Sequence, residues 1–361
     1  MAAPKPKLTP IQEVLTAALN SPPAQRREDA FYEPKPQNFW SSDGRRWLQT
    51  EPTTHPVAID RDSAFNPKVI RLVSWNIDVL AGFAEERMRA ALQYLEQLIS
   101  STPNDIAVVV FLQEMGQSDL KQIQESLGIM RRFNIAERDG SNWLSPLYGT
   151  TTLIDRRLKI SNIFRVPWIS KFARDGLFVD LAFSKLGDDT KVLRLCNTHL
   201  ESLVADPPIR PLQLAAAAEH LQKPEVAGAL LAGDLNAIQP FDRTLHFDNN
   251  LHDAYLDLGG KEDSDAGYTW GQQVPQWMKD KFGCSRMDKI LFQGAVQPVN
   301  FERIGMGVKV AENVMEEVEK EIEGGWVTDH YGIMGEFTLT DGWQLQKWDG
   351  DCGQEVRSRL S

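Results

Sequence analysis

The seven residues Ile106-Ala-Val-Val-Val-Phe-Leu112 are all apolar. No polar side chain interrupts them, so neither face of the segment is offered to water. Four of the seven are β-branched, and the run has the length of a strand rather than a helix. Such a strand is covered on both faces, which requires a sheet with a further layer packed against each side. Val69 to Trp75 also reads as a strand. Between the two, Glu85 to Ser100 carries Met88, Leu92, Leu95 and Ile99 on one helical face. Ser118 to Leu127 reads as a second helix, with Leu120, Ile123 and Leu127 facing inward.

Further along, strands crowd together. Residues 147–154, 158–164, 177–183 and 192–198 all read as extended, and Gly187-Asp188-Asp189 turns the last two into a hairpin. A helix follows from Pro211 to Gln222, then a strand from Ala229 to Asn236. A short helix is expected over 248–258, a strand over 286–292, an acidic helix over 311–323 and a last strand after Val327. Hairpins exclude an all-parallel sheet. The expectation is an α/β fold of two mixed sheets packed face to face, with helices outside.

Residues 1–66 differ in texture, being Pro-rich and without long periodicity. They are expected to form a partly disordered extension, with one helix from Thr9 (N-cap) and Pro10 to Leu19. Its aromatic part, Phe31 to Trp47, would pack as an arm on the main domain at 67–341. Residues 342–361 read as a peripheral tail.

The formal net charge is -11, which argues against a broad basic surface that holds long nucleic acid without specificity. Cys196, Cys284 and Cys352 form no CxxC pair, so neither a disulfide framework nor a zinc knuckle is expected. The chain starts with a polar, Pro- and Lys-rich segment unlike a signal peptide. No stretch of 18 apolar residues could span a membrane. A soluble, intracellular monomer is the expectation, in the nucleus or the cytoplasm. GxGxxG and Walker A patterns are absent.

The strand boundaries carry the chemistry. Gly233-Asp234-Leu235-Asn236 ends an apolar strand with a carboxylate and a carboxamide two residues apart, hence on one side of an extended chain. Alone, the pair favours a turn. But Asn76, Gln113-Glu114, His199, Asp288 and Asp329-His330 occupy comparable positions at other strand boundaries. Carboxylates, amides and imidazoles together are what metal-assisted phosphate chemistry needs. A hard cation takes carboxylate and amide oxygens, a carboxylate handles water, and imidazoles stabilise charge at phosphorus. Arg131-Arg132, Arg156-Arg157, Arg174 and Arg210 are candidate phosphate contacts, although most basic side chains only solvate a surface.

Six motifs resemble, in order, those of the endonuclease/exonuclease/phosphatase superfamily. They are Ser74-Trp-Asn-Ile-Asp78, Leu112-Gln-Glu114, Asn197-Thr-His-Leu-Glu-Ser202, Gly233-Asp-Leu-Asn236, Arg286-Met-Asp288 and Thr328-Asp-His330. Within it, the set is most similar to the metal-dependent 5′-tyrosyl-DNA phosphodiesterases, through Trp75-Asn-Ile-Asp78, Thr198-His-Leu-Glu-Ser202 and Tyr268-Thr-Trp270. Leu235 stands where Thr is expected in those enzymes, and Tyr331 where Trp is usual. The resemblance implies a four-layered α/β sandwich and a catalytic domain over 67–341. It implies Mg2+ (or Mn2+) near Glu114, Asn76 and Asp329. Asp234 would orient and deprotonate the attacking water. Asn236, His330 and His199 would contact the phosphate, with Asp288 holding His330. Ser202 would be a further phosphate contact, Trp270 could stack on a base or ribose, and Arg210 is the basic side chain assigned to substrate. The implied partner is a DNA 5′ end carrying a phosphotyrosyl peptide. The alternative is an RNA nuclease or deadenylase, or an inositol phosphate phosphatase, of the same superfamily.

Overall fold

The computed structural model describes residues 10–20, 31–52, 54 and 67–348. Two eight-stranded sheets stack face to face. One runs, in spatial order, Val296–Ile304, Gly332–Leu339, Val69–Asn76, Ile106–Met115, Gly149–Asp155, Phe133–Ile135, Phe39–Ser42 and Trp47–Thr50. The other runs Lys35–Pro36, Ile160–Pro167, Asp175–Lys185, Asp188–Thr198, Val226–Asp234, Asp288–Gly294 and His252–Asp253, with Gln344–Leu345 pairing off this path to Asp175–Lys185.

Each sheet contains one parallel pair. Val69–Asn76 pairs with Ile106–Met115, with the helix Ala84–Ser100 between them in sequence. Asp188–Thr198 pairs with Val226–Asp234, with the helix Arg210–Leu221 between them. Parallel strands need such crossovers, and the helices supply the outer layers. Met88, Ala91, Leu92 and Leu95 of the first helix pack with Val73, Val108 and Val110. Leu214, Ala217 and Leu221 of the second pack with Cys196, Ala229 and Leu231. Between the sheets, Leu72, Val109 and Phe111 meet Val179, Leu193, Leu195, Leu230 and Ala232. The molecule is therefore a four-layered α/β sandwich, as the resemblance implies. Gly233 permits close approach of the second parallel pair: at φ 151° a Cβ there would lie 1.7 Å from the Thr198 carbonyl oxygen.

This topology decides where chemistry can collect. All four parallel strands end at one edge of the sandwich, the usual ligand-binding edge of parallel α/β sheets. Their antiparallel neighbours Asp288–Gly294 and Gly332–Leu339 start there.

Several expectations need correction. The helix expected over 118–127 breaks: Gln117–Glu125 ends, and Leu127–Arg132 starts anew. Ser126 caps the second helix by accepting the Ile129 N–H, which puts Leu127 in its first turn, 61% exposed. The short helix expected over 248–258 is two helices, Leu245–Asp248 and Ala254–Asp257, with the short His252–Asp253 strand between them. Within the segment expected to pack as an arm on the main domain, residues 35–50 go further and add strands to the edges of both sheets. Residues 344–345 also join a sheet, and Trp343 stacks on Phe183, so the start of the tail is part of the domain. The Thr9 cap and the tail from 349 lie outside the described residues.

Candidate active site

Alternation along each strand builds the site. Leu72, Ser74 and Asn76 share the inner face, as do Leu193, Leu195 and Asn197, and Leu230, Ala232 and Asp234. Each row runs from apolar core to polar tip. Asn76 Nδ2 donates to Asp234 Oδ2 at 3.0 Å, so the first contact at the tips already joins the two sheets. Asn76 Oδ1 accepts the Asp78 N–H, which turns the following loop.

Glu114 sits at an irregularity in its strand, with φ 54°. The kink carries its carboxylate out of the strand's alternation. Oε2 accepts the Val79 N–H, and Oε1 lies 3.8 Å from His199 Nε2. Among the described residues, nine non-glycine residues have positive φ. Asp78, Glu114 and Asn236 are three of them, and Ala173 and Leu203 adjoin Arg174 and Ser202. Backbone strain is thus concentrated around these side chains.

His199 is fixed through Arg174, whose Nη1 lies 2.8 Å from His199 Nδ1. A guanidinium only donates, so Nδ1 accepts and the ring hydrogen sits on Nε2. Nε2 lies 3.3 Å from Asp234 Oδ2. Arg174 also donates to Ser202 Oγ and packs against the Tyr148 and Phe172 rings. Asn236 Nδ2 donates to the Leu200 carbonyl, with Ser202 Oγ at 3.4 Å.

His330 Nδ1 lies 2.8 Å from Asp288 Oδ2, and its Nε2 lies 3.7 Å from Asp234 Oδ2. Burial opposes a charged ring, but the carboxylates of Asp288, Asp234 and Asp329 outweigh it and hold the His330 pKa well above its ordinary value. His330 is therefore an imidazolium at neutral pH. Burial likewise pushes the Asp234 carboxyl up. His330, His199 and the Asn236 N–H outweigh that and hold it well below the usual carboxylate range. Asp234 is an anion.

A third group of acids faces the same edge. Burial, reinforced by Asp329 and Glu114, pushes the Asp78 carboxyl up to about 7. Acids crowded in this way suit a hard cation. Glu114, His199 and Asp234 offer ligand atoms within 4.8 Å of one another, as do Asp234, Asp288 and His330. The second set is a charged acid with two carboxylates, because an imidazolium has no lone pair for a metal. In the first, both His199 nitrogens are committed to hydrogens. Glu114 and Asn76 are the oxygen donors left for a hard cation. Asp78 and Asp329 are near enough to act on one another electrostatically, but their carboxylates do not converge with Glu114 within 4.8 Å among the described residues.

Two expected substrate contacts are otherwise engaged. Arg210 is buried and bonded to Asp242, Gln239 and the Glu201 and Leu203 carbonyls, so it braces the loop after Ser202 and offers no N–H to a phosphate. Trp270 is 8% exposed, and its Nε1 donates to Asp329 Oδ2 at 2.7 Å. It orients that carboxylate, with little face left for stacking.

One residue of the site's support was not foreseen. Arg87 is 1% exposed and donates to the Ile77, Asp78, Ala81, Gly82 and Val327 carbonyls. It locks the loop carrying Asp78 and the residues ahead of Asp329. The signal was present: Arg87 falls on the buried stripe of its helix with Met88, Ala91 and Leu95.

Among solved structures, a humanized D. rerio TDP2 with 14 mutations is similar at 22% identity, covering 75% of this chain and 100% of that one with TM-score 0.57. D. rerio TDP2 complexed with a single-strand DNA product is 20% identical, covering 75% and 99% at 0.56. The human nocturnin catalytic domain with bound sulfate is 16% identical, covering 76% and 96% at 0.51. No curated protein sequence matches the chain. The Endonuclease/Exonuclease/phosphatase family model matches residues 73–330, the span that contains all six motifs. The chain belongs to the endonuclease/exonuclease/phosphatase family and is a hydrolase of phosphodiester bonds.

Proposed function

We propose that the chain is a Mg2+-dependent phosphodiesterase that hydrolyses 5′-phosphotyrosyl links on DNA ends. The observation that carries the chemistry is the placement of Asp234 3.7 Å from His330 across the seam between the sheets, with Asp288 2.8 Å from the other ring nitrogen, an arrangement that favours a carboxylate at Asp234 and a charged His330. One orients water toward phosphorus; the other neutralises the charge that grows on the phosphoryl oxygens as water adds. Asp288 keeps His330 charged and aimed. His199, held by Arg174, offers a further N–H to the phosphate, and Asn236 would do so by exchanging its long 3.4 Å contact with Ser202 Oγ.

Family members generally depend on a divalent metal. Glu114 and Asn76 would hold it here, beside Asp78 and Asp329. When bound, the ion supplies charge neutralisation at a phosphoryl oxygen and at the departing oxygen. The low proton affinity of Asp234 makes it an acceptor that orients water before it is a base. Its affinity for a proton rises once His330 turns its Nε2–H toward the phosphate instead.

The substrate reading is supported by the motif set with Tyr268-Thr-Trp270 and by the similarity in fold to TDP2, a 5′-tyrosyl-DNA phosphodiesterase. A tyrosine phenolate, with a pKa of about 10, departs without a strong general acid. The deciding experiment offers the protein 5′-phosphotyrosyl single-stranded DNA, abasic duplex DNA, poly(A) RNA and an inositol polyphosphate, each with Mg2+ or with EDTA. Cleavage of the phosphotyrosyl DNA, lost with EDTA, is expected. Turnover of RNA or the inositol substrate alone would replace this reading with one of those activities.

A further inference from the structure

One layer beneath the reacting groups, the two sheets are joined by side-chain amides. Ser74 and Asn197 lie one inner-face position below Asn76 and His199, Gln113 is in register with Asn76, and all three are fully buried. Gln113 Nε2 donates to Asn197 Oδ1 at 2.8 Å and to Ser74 Oγ at 3.1 Å. Asn197 Nδ2 donates to the Thr151 carbonyl at 2.8 Å, with the Leu112 carbonyl and Thr152 Oγ1 at 3.4 Å. Ser74, Leu112, Gln113, Thr151 and Thr152 belong to one sheet and Asn197 to the other. Both ends of the Asn197 amide therefore reach across the gap.

The bridge residues are close in sequence to the site. Gln113 precedes Glu114. Ser74 is two residues before Asn76, and Asn197 two before His199. In the layer below, Leu72, Val109, Leu195 and Leu230 meet across the gap through apolar contacts, which have no preferred direction. A hydrogen bond fixes both distance and angle. Above the bridge, Asn76–Asp234 at 3.0 Å and His199–Glu114 at 3.8 Å span the seam among the groups that a phosphate or cation would engage. The amide bridge has no such competitor.

We propose that the Gln113–Asn197 bridge sets the spacing between the two halves of the site, Asn76 and Glu114 on one sheet and His199 and Asp234 on the other. Both are positioning residues for phosphoester hydrolysis. Reacting groups must be held to about 0.5 Å for efficient chemistry. Arg165, bonded to Thr150, also joins the sheets, and the Gln113–Asn197 bridge is the polar fixture adjoining Asn76, Glu114 and His199 in sequence.

The test uses the full chain, Mg2+ and bis(4-nitrophenyl) phosphate, a diester whose cleavage does not depend on the tyrosyl-DNA reading. Gln113→Leu and Asn197→Leu each leave a buried partner unsatisfied and should lower Tm. The double leucine variant replaces both partners and should recover most of that loss. Its kcat/KM should stay at least 30-fold below wild type, and its half-saturating Mg2+ concentration should rise at least fivefold. A double variant with wild-type Tm, and with kcat/KM and Mg2+ requirement within twofold of wild type, overturns the proposal. Should the double variant not fold, the same-sized Gln113→Glu and Asn197→Asp read the same way. A loss of tenfold or more in kcat/KM at retained Tm supports the bridge, and no change beyond twofold overturns it.

Discussion

Asp288→Asn removes one charge beside His330 while keeping the shape of the contact. The carboxylate oxygen is 2.8 Å from Nδ1, and Asp288 is fully buried. At an effective dielectric constant of about 20, unit charges at that distance interact by roughly 6 kcal/mol. Spreading the imidazolium charge over the ring halves this, to about 3 kcal/mol or about 2 pKa units. Asp234 at 3.7 Å and Asp329 at 4.0 Å remain. In the wild type the raised pKa keeps His330 charged through neutral pH. Lowering it moves the loss of charge into the assay range, so the deficit must grow as pH rises. At saturating Mg2+, the variant should lose about 10²–10³-fold in kcat/KM at pH 8, the cost of one transition-state donor. At pH 6, where the ring regains its proton, the loss should shrink to roughly tenfold. The assay is a pH–rate profile between pH 5.5 and 9, with ring protonation read in parallel by NMR of the histidine nitrogens. Parallel profiles for the two proteins would refute the assignment of His330 as the charged donor. So would a variant that keeps its imidazolium to pH 8 and still loses activity.

Arg87→Met should leave five carbonyls, two of them buried and three part-buried, without their donor and cost about 3 kcal/mol in chemical denaturation, the low end for broken buried charge contacts. Metal half-saturation should worsen in the folded fraction, because the Asp78 and Asp329 loops lose their common anchor. Asp78, pushed up to about 7, competes with a cation through its proton. The half-saturating Mg2+ concentration should therefore fall as pH rises through about 7, and Asp78→Asn should flatten that dependence in a metal titration. Burial pushes the Asp119 carboxyl up to about 6 from 3.8, with the Gly116 N–H and Arg87 offsetting only part of it. A carboxylate with a raised folded-state pKa costs stability as pH rises from about 4 to 6 and stays costly above. Relative to its effect below pH 4, Asp119→Asn should thus stabilise by up to about 3 kcal/mol above pH 6; equal shifts in Tm at pH 4 and pH 8 would contradict this.

The layers and most of the site could be read from residue pattern because both depend on alternation. An apolar inner row that ends in Asn76, Asp234 or the residues leading to His199 announces a strand and its polar tip together. What alternation does not carry is hydrogen bonding between segments distant in sequence. Arg210 and an exposed phosphate-binding arginine look alike until Asp242 and the Leu203 carbonyl close around the guanidinium. Trp270 resembles a stacking ring until its Nε1 is seen on Asp329. Lys35–Pro36, with a proline inside it, has no strand signature, yet it pairs with Phe164 and Arg165 at a sheet edge, where a missing N–H is tolerated. Arg87 could have been found: a cation on an apolar helical stripe must have buried acceptors waiting for it.

The same arrangement explains why a site so rich in charge can persist. Asp234 and Asp288 are both buried, which by itself favours their neutral forms. His330 between them lowers both pKa values: Asp234 falls below the usual carboxylate range, whereas burial still keeps Asp288 above its ordinary value, and removing the imidazolium should raise both. Arg174 and Arg87 then hold the flanks by opposite means. Arg174 donates to His199 and Ser202, the proposed phosphate contacts, whereas Arg87 spends all of its N–H groups on backbone carbonyls beneath the acids proposed to suit a cation. A fixed positive charge below Asp78 lowers its pKa against burial and against Asp329 and Glu114. Arg87 therefore supports the acidic cluster electrostatically as well as mechanically. Arg87→Lys, which keeps the charge but not the five-fold donor geometry, should preserve the pH at which metal binding strengthens while losing stability. If Arg87→Lys and Arg87→Met shift that pH equally, the guanidinium acts through geometry alone.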